Sequence, residues 1–114
     1  MSFLNLGGKV FVVLGIANKR SVAYGIARLL LEEGATVIAS VRSEARRESV
    51  RRLFPDCEVH VCDVAHDDQI AALAEAVHKN HPVVHGLLHS IAFADYENFS
   101  GKFHEVSRAD FLRC

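Results

Sequence analysis

The sequence predicts an α/β fold built on a doubly wound parallel sheet with helices on both faces. Three observations carry that prediction. Short apolar or β-branched runs alternate with helical patterns along the 114 residues. The first run has no polar alternation, as expected for a strand covered on both faces. The connections are short, which suits right-handed crossovers between parallel strands.

The elements follow in order. Lys9 to Gly15 (KVFVVLG) is the first strand. In Ser21 to Glu33, Val22, Ile26, Leu29 and Leu30 recur at helical spacing. Ser21 is the expected N-cap, and Gly34 sits where a left-handed C-terminal cap belongs. Thr36 to Val41 is the second strand, and Glu44 to Leu53 a charged, exposed helix that Pro55 prevents from continuing. Glu58 to Cys62 is the third strand. Asp67 or Asp68 is expected to cap a third helix whose inner face is Ile70, Leu73, Ala74 and Val77. Val84 to Ile91 is the fourth strand, and Ser107 to Asp110 reads as a capping box opening a fourth helix at Phe111 and Leu112.

Strung together, these elements give sheet order 3-2-1-4 and a ligand crevice beyond the carboxyl ends of strands 1 and 4, the Rossmann-type arrangement. It is incomplete, with only the first four strands. Residues 1–114 are therefore expected to be the N-terminal, cofactor-binding part of one longer domain, leaving strand 4 as an open edge and the isolated piece marginal in stability.

Composition narrows the function classes. Half of the residues are hydrophobic and 24% charged, which suits a packed core rather than disorder. A net charge of −1 gives no global reason to bind nucleic acid or a membrane surface. No apolar run approaches the ~18 residues of a membrane span, and Met1 to Gly8 lacks a basic-then-apolar leader, so the cytoplasm is the expected compartment. Cys57, Cys62 and Cys114 are too few for a disulfide framework. Strand alternation puts Cys57 on the face opposite His60 and Cys62, which makes a poor zinc site, and no metal is expected.

Four segments could carry chemistry, each with a plainer alternative. Gly15 to Gly25 (GIANKRSVAYG) joins a buried strand to a Ser-capped helix. Free N–H groups there would suit a pyrophosphate, with Gly25 packing the helix over the strand; the alternative is an ordinary turn. Arg42 ends strand 2, where binders of unphosphorylated NAD usually carry an acidic residue. It could pair with a 2′-phosphate, supported by Arg46 and Arg47, or belong to a solvated face with Glu44 and Glu48. Asp63 could accept a hydrogen bond from an adenine amino group or merely cap a turn. His89 to Ala94 (HSIAFA) could let a flat ring lie against the backbone, or be strand core.

Taken together, GIANKRSVAYGIA, CDV (Cys62 to Val64), HGLLHSIAFA (His85 to Ala94) and SRADF (Ser107 to Phe111) resemble the N-terminal half of the bacterial enoyl-acyl-carrier-protein reductases of type II fatty acid synthesis. These are members of the short-chain dehydrogenase/reductase superfamily. Other members of that superfamily carry a T-G-x-x-x-G-x-G turn and N-N-A-G after strand 4, and this sequence departs from both. The resemblance implies that Gly15, Ser21 and Val22 bind the pyrophosphate, that Asp63 and Val64 flank the adenine, and that Ile91 lies by the nicotinamide ribose. It implies that Ala94 lies beside the acyl substrate and Arg42 at the adenosine ribose, where basic residues favour NADPH over NADH.

The activity implied is reduction of the trans-2 double bond of an enoyl thioester on acyl carrier protein, in a homotetramer. Hydride passes to C3, a Tyr stabilises the enolate oxygen and a Lys orients the nicotinamide ribose. That Tyr-x6-Lys pair is expected beyond Cys114. Tyr24 and Tyr96 are the only tyrosines and neither has a Lys at that spacing, so no catalytic residue is assigned and this stretch alone is expected to be inactive. The alternatives are a short-chain carbonyl reductase and a non-catalytic nucleotide-binding fragment.

Overall fold

The computed structural model describes residues 4–91 and Arg108. Ala94, Tyr96, Ser107 and Asp110 of the expected capping box, and the helix expected at Phe111 and Leu112 lie outside the described residues. The elements are β1 (Val10–Leu14), α1 (Val22–Glu32), β2 (Thr36–Val41), α2 (Glu44–Leu53), β3 (Glu58–Val61), α3 (Asp67–Asn80) and β4 (Gly86–His89). The strands form one parallel sheet in the order β3-β2-β1-β4, as the alternating pattern predicts.

Side chains alternate across this sheet and build two cores. Val13, Val37, Ala39, Val41 and Val59 face Ala23 and Ala27 of α1 and Val50 of α2. Tyr24 closes that layer against Phe54, with ring centroids 5.3 Å apart. On the other face Val10, Val12, Leu14 and Ile38 meet Val77 and Leu73 of α3.

The inner face of α1 differs from the one the spacing suggests. Val22 and Leu29 are 69% and 62% exposed, while Ala23 and Ala27 are fully buried. Both sets recur at helical spacing, and the alanines win because small side chains let the helix axis approach the sheet. Gly25 does not supply that close approach: a Cβ built there meets nothing within 4 Å. Likewise Ile70 is 42% exposed and Ala74 is exposed, so Leu73 and Val77 carry the contact of α3.

Helix ends show the same mixture. Gly34, at φ +85°, ends α1 in a Schellman arrangement, with N–H groups of Gly34 and Ala35 donating to the carbonyls of Leu31 and Leu30. α3 instead begins after His66, so Asp67 and Asp68 lie in its first turn and complement the helix dipole rather than cap it.

The strand ends are shorter than the apolar runs. β4 covers only Gly86 to His89, and a Cβ on Gly86 would meet the Phe11 ring at 2.7 Å. Among the described residues β4 pairs only with β1, and Leu87 stays 63% exposed, in keeping with the expected open edge. At the amino end of the sheet the Val10 N–H donates to His85 Nδ1 at 3.0 Å. At the start of β3, Glu58 holds His60 at 2.7 Å and His81, just past α3, at 3.6 Å. Burial pushes the Glu58 carboxyl up, but its hydrogen bond and charge interaction with His60, and then His81, hold it below its ordinary 4.5.

Two outcomes follow. Gly15→Ala should lower unfolding free energy by about 2 kcal/mol or more, because Gly15 has φ +111° and its missing Cβ would collide with the Ser90 carbonyl. Gly25→Ala should be neutral or add about 0.5–1 kcal/mol; urea unfolding of both variants checks the contrast. Secondly, the contribution of Glu58 is fully present above its unfolded value of 4.5 and drains away as pH falls through the lower folded value. Glu58→Gln should therefore flatten the acid limb of a stability-against-pH curve.

Candidate functional site: the carboxyl edge of the sheet

Because all four strands run parallel, their carboxyl ends lie along one edge. Every described residue singled out by the sequence falls there: Gly15, Ser21 and Val22 after β1, Arg42 after β2, Asp63 and Val64 after β3, and Ile91 after β4. Ala94 lies outside the described residues. The chain switches direction between β1 and β4, where doubly wound folds open their crevice.

Gly15 makes that junction possible. The Ser90 N–H donates to the Leu14 carbonyl at 3.1 Å, which draws the chain after β4 alongside the chain after β1. A Cβ on Gly15 would lie 2.7 Å from the Ser90 carbonyl carbon and 3.1 Å from Ile91 Cγ2. The glycine thus accommodates the neighbouring strand, and its Cβ direction is filled by protein.

Ser21 is the N-cap of α1 by backbone conformation, yet its hydroxyl makes no capping bond. It donates to the Asn18 carbonyl at 2.7 Å and accepts from the Ala17 N–H at 3.3 Å. Asn18 Oδ1 in turn accepts from the Arg20 N–H at 2.8 Å. The expected cap is corrected to a brace: the hydroxyl is turned back into the loop it closes. The N–H groups of Val22 and Ala23 then have no acceptor among the described residues, and the first turn holds no acidic side chain. That combination leaves the positive end of an 11-residue helix open to an anion.

The arginines after β2 sort themselves. Glu44 pairs with Arg47 at 3.1 Å and Glu48 with Arg51 at 3.7 Å. Arg42 is exposed with no carboxylate partner among the described residues, and Arg46 likewise. Ser43 Oγ caps α2 through the Arg46 N–H. Arg42 therefore keeps its whole guanidinium for an incoming anionic group.

Asp63 does cap a turn, its Oδ1 accepting from the Ala65 N–H at 3.0 Å. The second oxygen, Oδ2, has only His66 at 3.9 Å. Its backbone N–H donates to Gln69 Oε1 at 2.7 Å, a contact no sequence signal announced. Cys62, buried just before it, is a poor nucleophile, since burial and then the Asp63 charge push its thiol up. His81, His85 and His89 recur every fourth residue, an H-x-x-x-H spacing. It falls on largely extended chain, where four residues span ~13 Å, rather than on one turn of helix. Among the described residues no group of three or more His, Cys, Asp or Glu side chains could hold a metal ion.

Comparison with known proteins places the chain in a family. A family model described as enoyl-(acyl carrier protein) reductase matches residues 15–114. The NADPH-specified enoyl-[acyl-carrier-protein] reductase of Staphylococcus aureus is 38% identical over 114 residues, covering 96% of this chain and 44% of its own length. The NADH-specified reductase of Bacillus cereus is 40% identical over 112 residues, covering 94% and 44%. Among solved structures, the Bacillus cereus reductase with NADP+ and an indole naphthyridinone superposes with a TM-score of 0.84 at 39% identity, over 95% of this chain and 44% of that one. The Aquifex aeolicus reductase (NADH) gives 0.83 at 34% identity, over 95% and 48%. The chain thus spans less than half the length of the curated relatives it matches.

Ser21→Ala should cost about 1 kcal/mol of stability, because the Ala17 N–H loses its acceptor while the Asn18 carbonyl keeps only the Ser21 N–H. Ser21→Asp, a better N-cap by type, should not restore it. Chemical denaturation of the two variants reads the difference, and full recovery in the aspartate variant would show that capping, not loop bracing, is the function of the hydroxyl.

Proposed function

The chain belongs to the enoyl-(acyl carrier protein) reductase family, and from that membership we propose that it is the dinucleotide-binding half of an NADPH-dependent enoyl reductase. The observation that carries this is the set of unfilled polar groups along one edge of the sheet: two α1 N–H groups, the Arg42 guanidinium and Asp63 Oδ2. Their chemistry matches the parts of a dinucleotide. The α1 N-terminus, framed by Gly15, Ser21 and Val22, takes the pyrophosphate. Arg42 faces the adenosine ribose and pairs with a 2′-phosphate. Asp63 and Val64 bracket the adenine, and Ile91 borders the nicotinamide ribose. Ala94 matches the position that the family pattern assigns to the acyl substrate.

The bound cofactor supplies a hydride to C3 of the trans-2-enoyl thioester presented on acyl carrier protein. The described residues bind and orient; none of them moves a proton at the substrate. Neither Tyr24 nor Tyr96 has a Lys at the family's Tyr-x6-Lys spacing, so these residues are read as the cofactor-binding part of a single Rossmann-type domain without its catalytic pair. Family membership also supports a homotetramer. A cytoplasmic setting agrees with the free thiols of Cys57 and Cys62 and with the lack, among the described residues, of a helix long and apolar enough to cross a membrane.

Steady-state rates of the full-length protein on a trans-2-enoyl thioester test the proposal. NADPH should outperform NADH in kcat/KM, and Arg42→Ala should shrink that preference by about 10-fold, the worth of one charge-assisted contact. Equal use of the two cofactors at low salt would overturn the assignment of Arg42. Turnover of carbonyl substrates without turnover of enoyl thioesters would overturn the reaction.

A further inference from the structure

We propose that Gln69 is a positioning residue for base recognition, through its hydrogen bond to the Asp63 backbone. The inference rests on the reading of Asp63 as the adenine acceptor. Asp63 is held at three of its polar groups: its N–H by Gln69 Oε1 at 2.7 Å, its Oδ1 by the Ala65 N–H at 3.0 Å, and its carbonyl by the His66 N–H at 3.1 Å. Two of these are made within the turn itself. The Gln69 bond alone is made by a side chain reaching back six residues, from the first turn of α3.

That difference matters for direction. Bonds inside a turn fix its local shape but leave it free to pivot about the end of β3. A side chain anchored on a 14-residue helix ties the turn to a rigid element. With the backbone fixed and Oδ1 engaged, the remaining oxygen, Oδ2, whose one neighbour among the described residues is the His66 ring at 3.9 Å, is presented in one direction. It meets a base edge that carries a donor at that point, which is the exocyclic amino group of adenine. Hypoxanthine has a carbonyl oxygen there, so the carboxylate would face another acceptor and reject it.

The test uses full-length protein and two probes, NADPH and its hypoxanthine analogue. Dissociation constants come from the enhancement of dihydronicotinamide fluorescence, alongside kcat at saturating cofactor. The wild type should bind the adenine form more tightly by about 10-fold or more. Gln69→Ala should cut that ratio by about 3- to 10-fold, with kcat unchanged, and Gln69→Glu, which keeps an acceptor at the same reach, should restore most of it. Asp63→Ala should abolish the ratio.

Should the alanine variant melt below the assay temperature, Gln69→Met replaces it, similar in length but with only a weak acceptor. An unchanged ratio in Asp63→Ala overturns the adenine reading, and the proposal with it. A ratio that falls in Asp63→Ala but holds in the folded Gln69 variants lacking the oxygen overturns the positioning role alone. Equal weakening of both probes would mean that Gln69 merely supports the fold, and would also overturn it.

Discussion

The structure depends on the close passage of Gly15 beside the Ser90 carbonyl. Parallel strands β1 and β4 register from Phe11 with Gly86 to Leu14 with His89, and the ladder is prolonged by the Ser90 N–H bonding the Leu14 carbonyl. At the next residue the two chains must diverge, one towards α1 and the other onward past Ile91. They can do so only if one of them gives up its side chain and takes a positive φ, as Gly15 does at +111°. A Cβ at this point would push β4 away from β1. The crevice between the loop from Ile16 to Ser21 and the segment at Ile91 would then lose its shape, though none of its ligand-facing groups had changed.

This gives the glycine a different role from the one a phosphate-loop pattern suggests. The pattern assigns glycine to the approach of a ligand, whereas Gly15 serves the approach of a strand. On the proposed reading the anion is met by the N–H groups of the helix N-terminus beside it, and there Ser21 decides. By bonding Ala17 and Asn18 instead of its own first turn, the hydroxyl stiffens the loop and leaves the Val22 and Ala23 N–H groups open. A conventional side-chain cap would have filled part of the position an anion needs. The loop can dispense with the second glycine of the usual fingerprint because its shape is held by side-chain hydrogen bonds.

Much of this was legible in the sequence, and the failures have a common cause. The order of elements, the limits of β2 and α2 and the sheet order follow from apolar runs and breakers such as Gly34 and Pro55, which act locally. The inner face of α1 was not legible. Val22, Ile26 and Leu29 match helical periodicity as well as Ala23 and Ala27 do, and only the distance to the sheet favours the small pair. Asp63 was ambiguous for a related reason. A sequence cannot divide one carboxylate into an oxygen used by the turn and an oxygen left over, nor show that Gln69 reaches back to the same residue. The resemblance to a family identified the edge, but not which atoms along it remain unengaged.

The two ends of the sheet are thereby given separate tasks. At the amino end, polar side chains are consumed in holding the fold: His85 accepts from Val10 at the start of β1, and Glu58 ties β3 to His81 beyond α3. At the carboxyl end, N–H groups, Arg42 and Asp63 Oδ2 are left open. An edge strand such as β3 would otherwise be free to fray, and its fraying would carry Cys62 and Asp63 with it. Glu58 lies five residues before Asp63 and outside the crevice, yet by fixing the first residue of β3 it limits where the last can move. Mutations at the amino end should thus be felt as lost stability, with changes in ligand affinity following only through β3. Those at the carboxyl end should alter affinity with little effect on stability, except at Gly15 and Ser21, where both tasks meet in one residue.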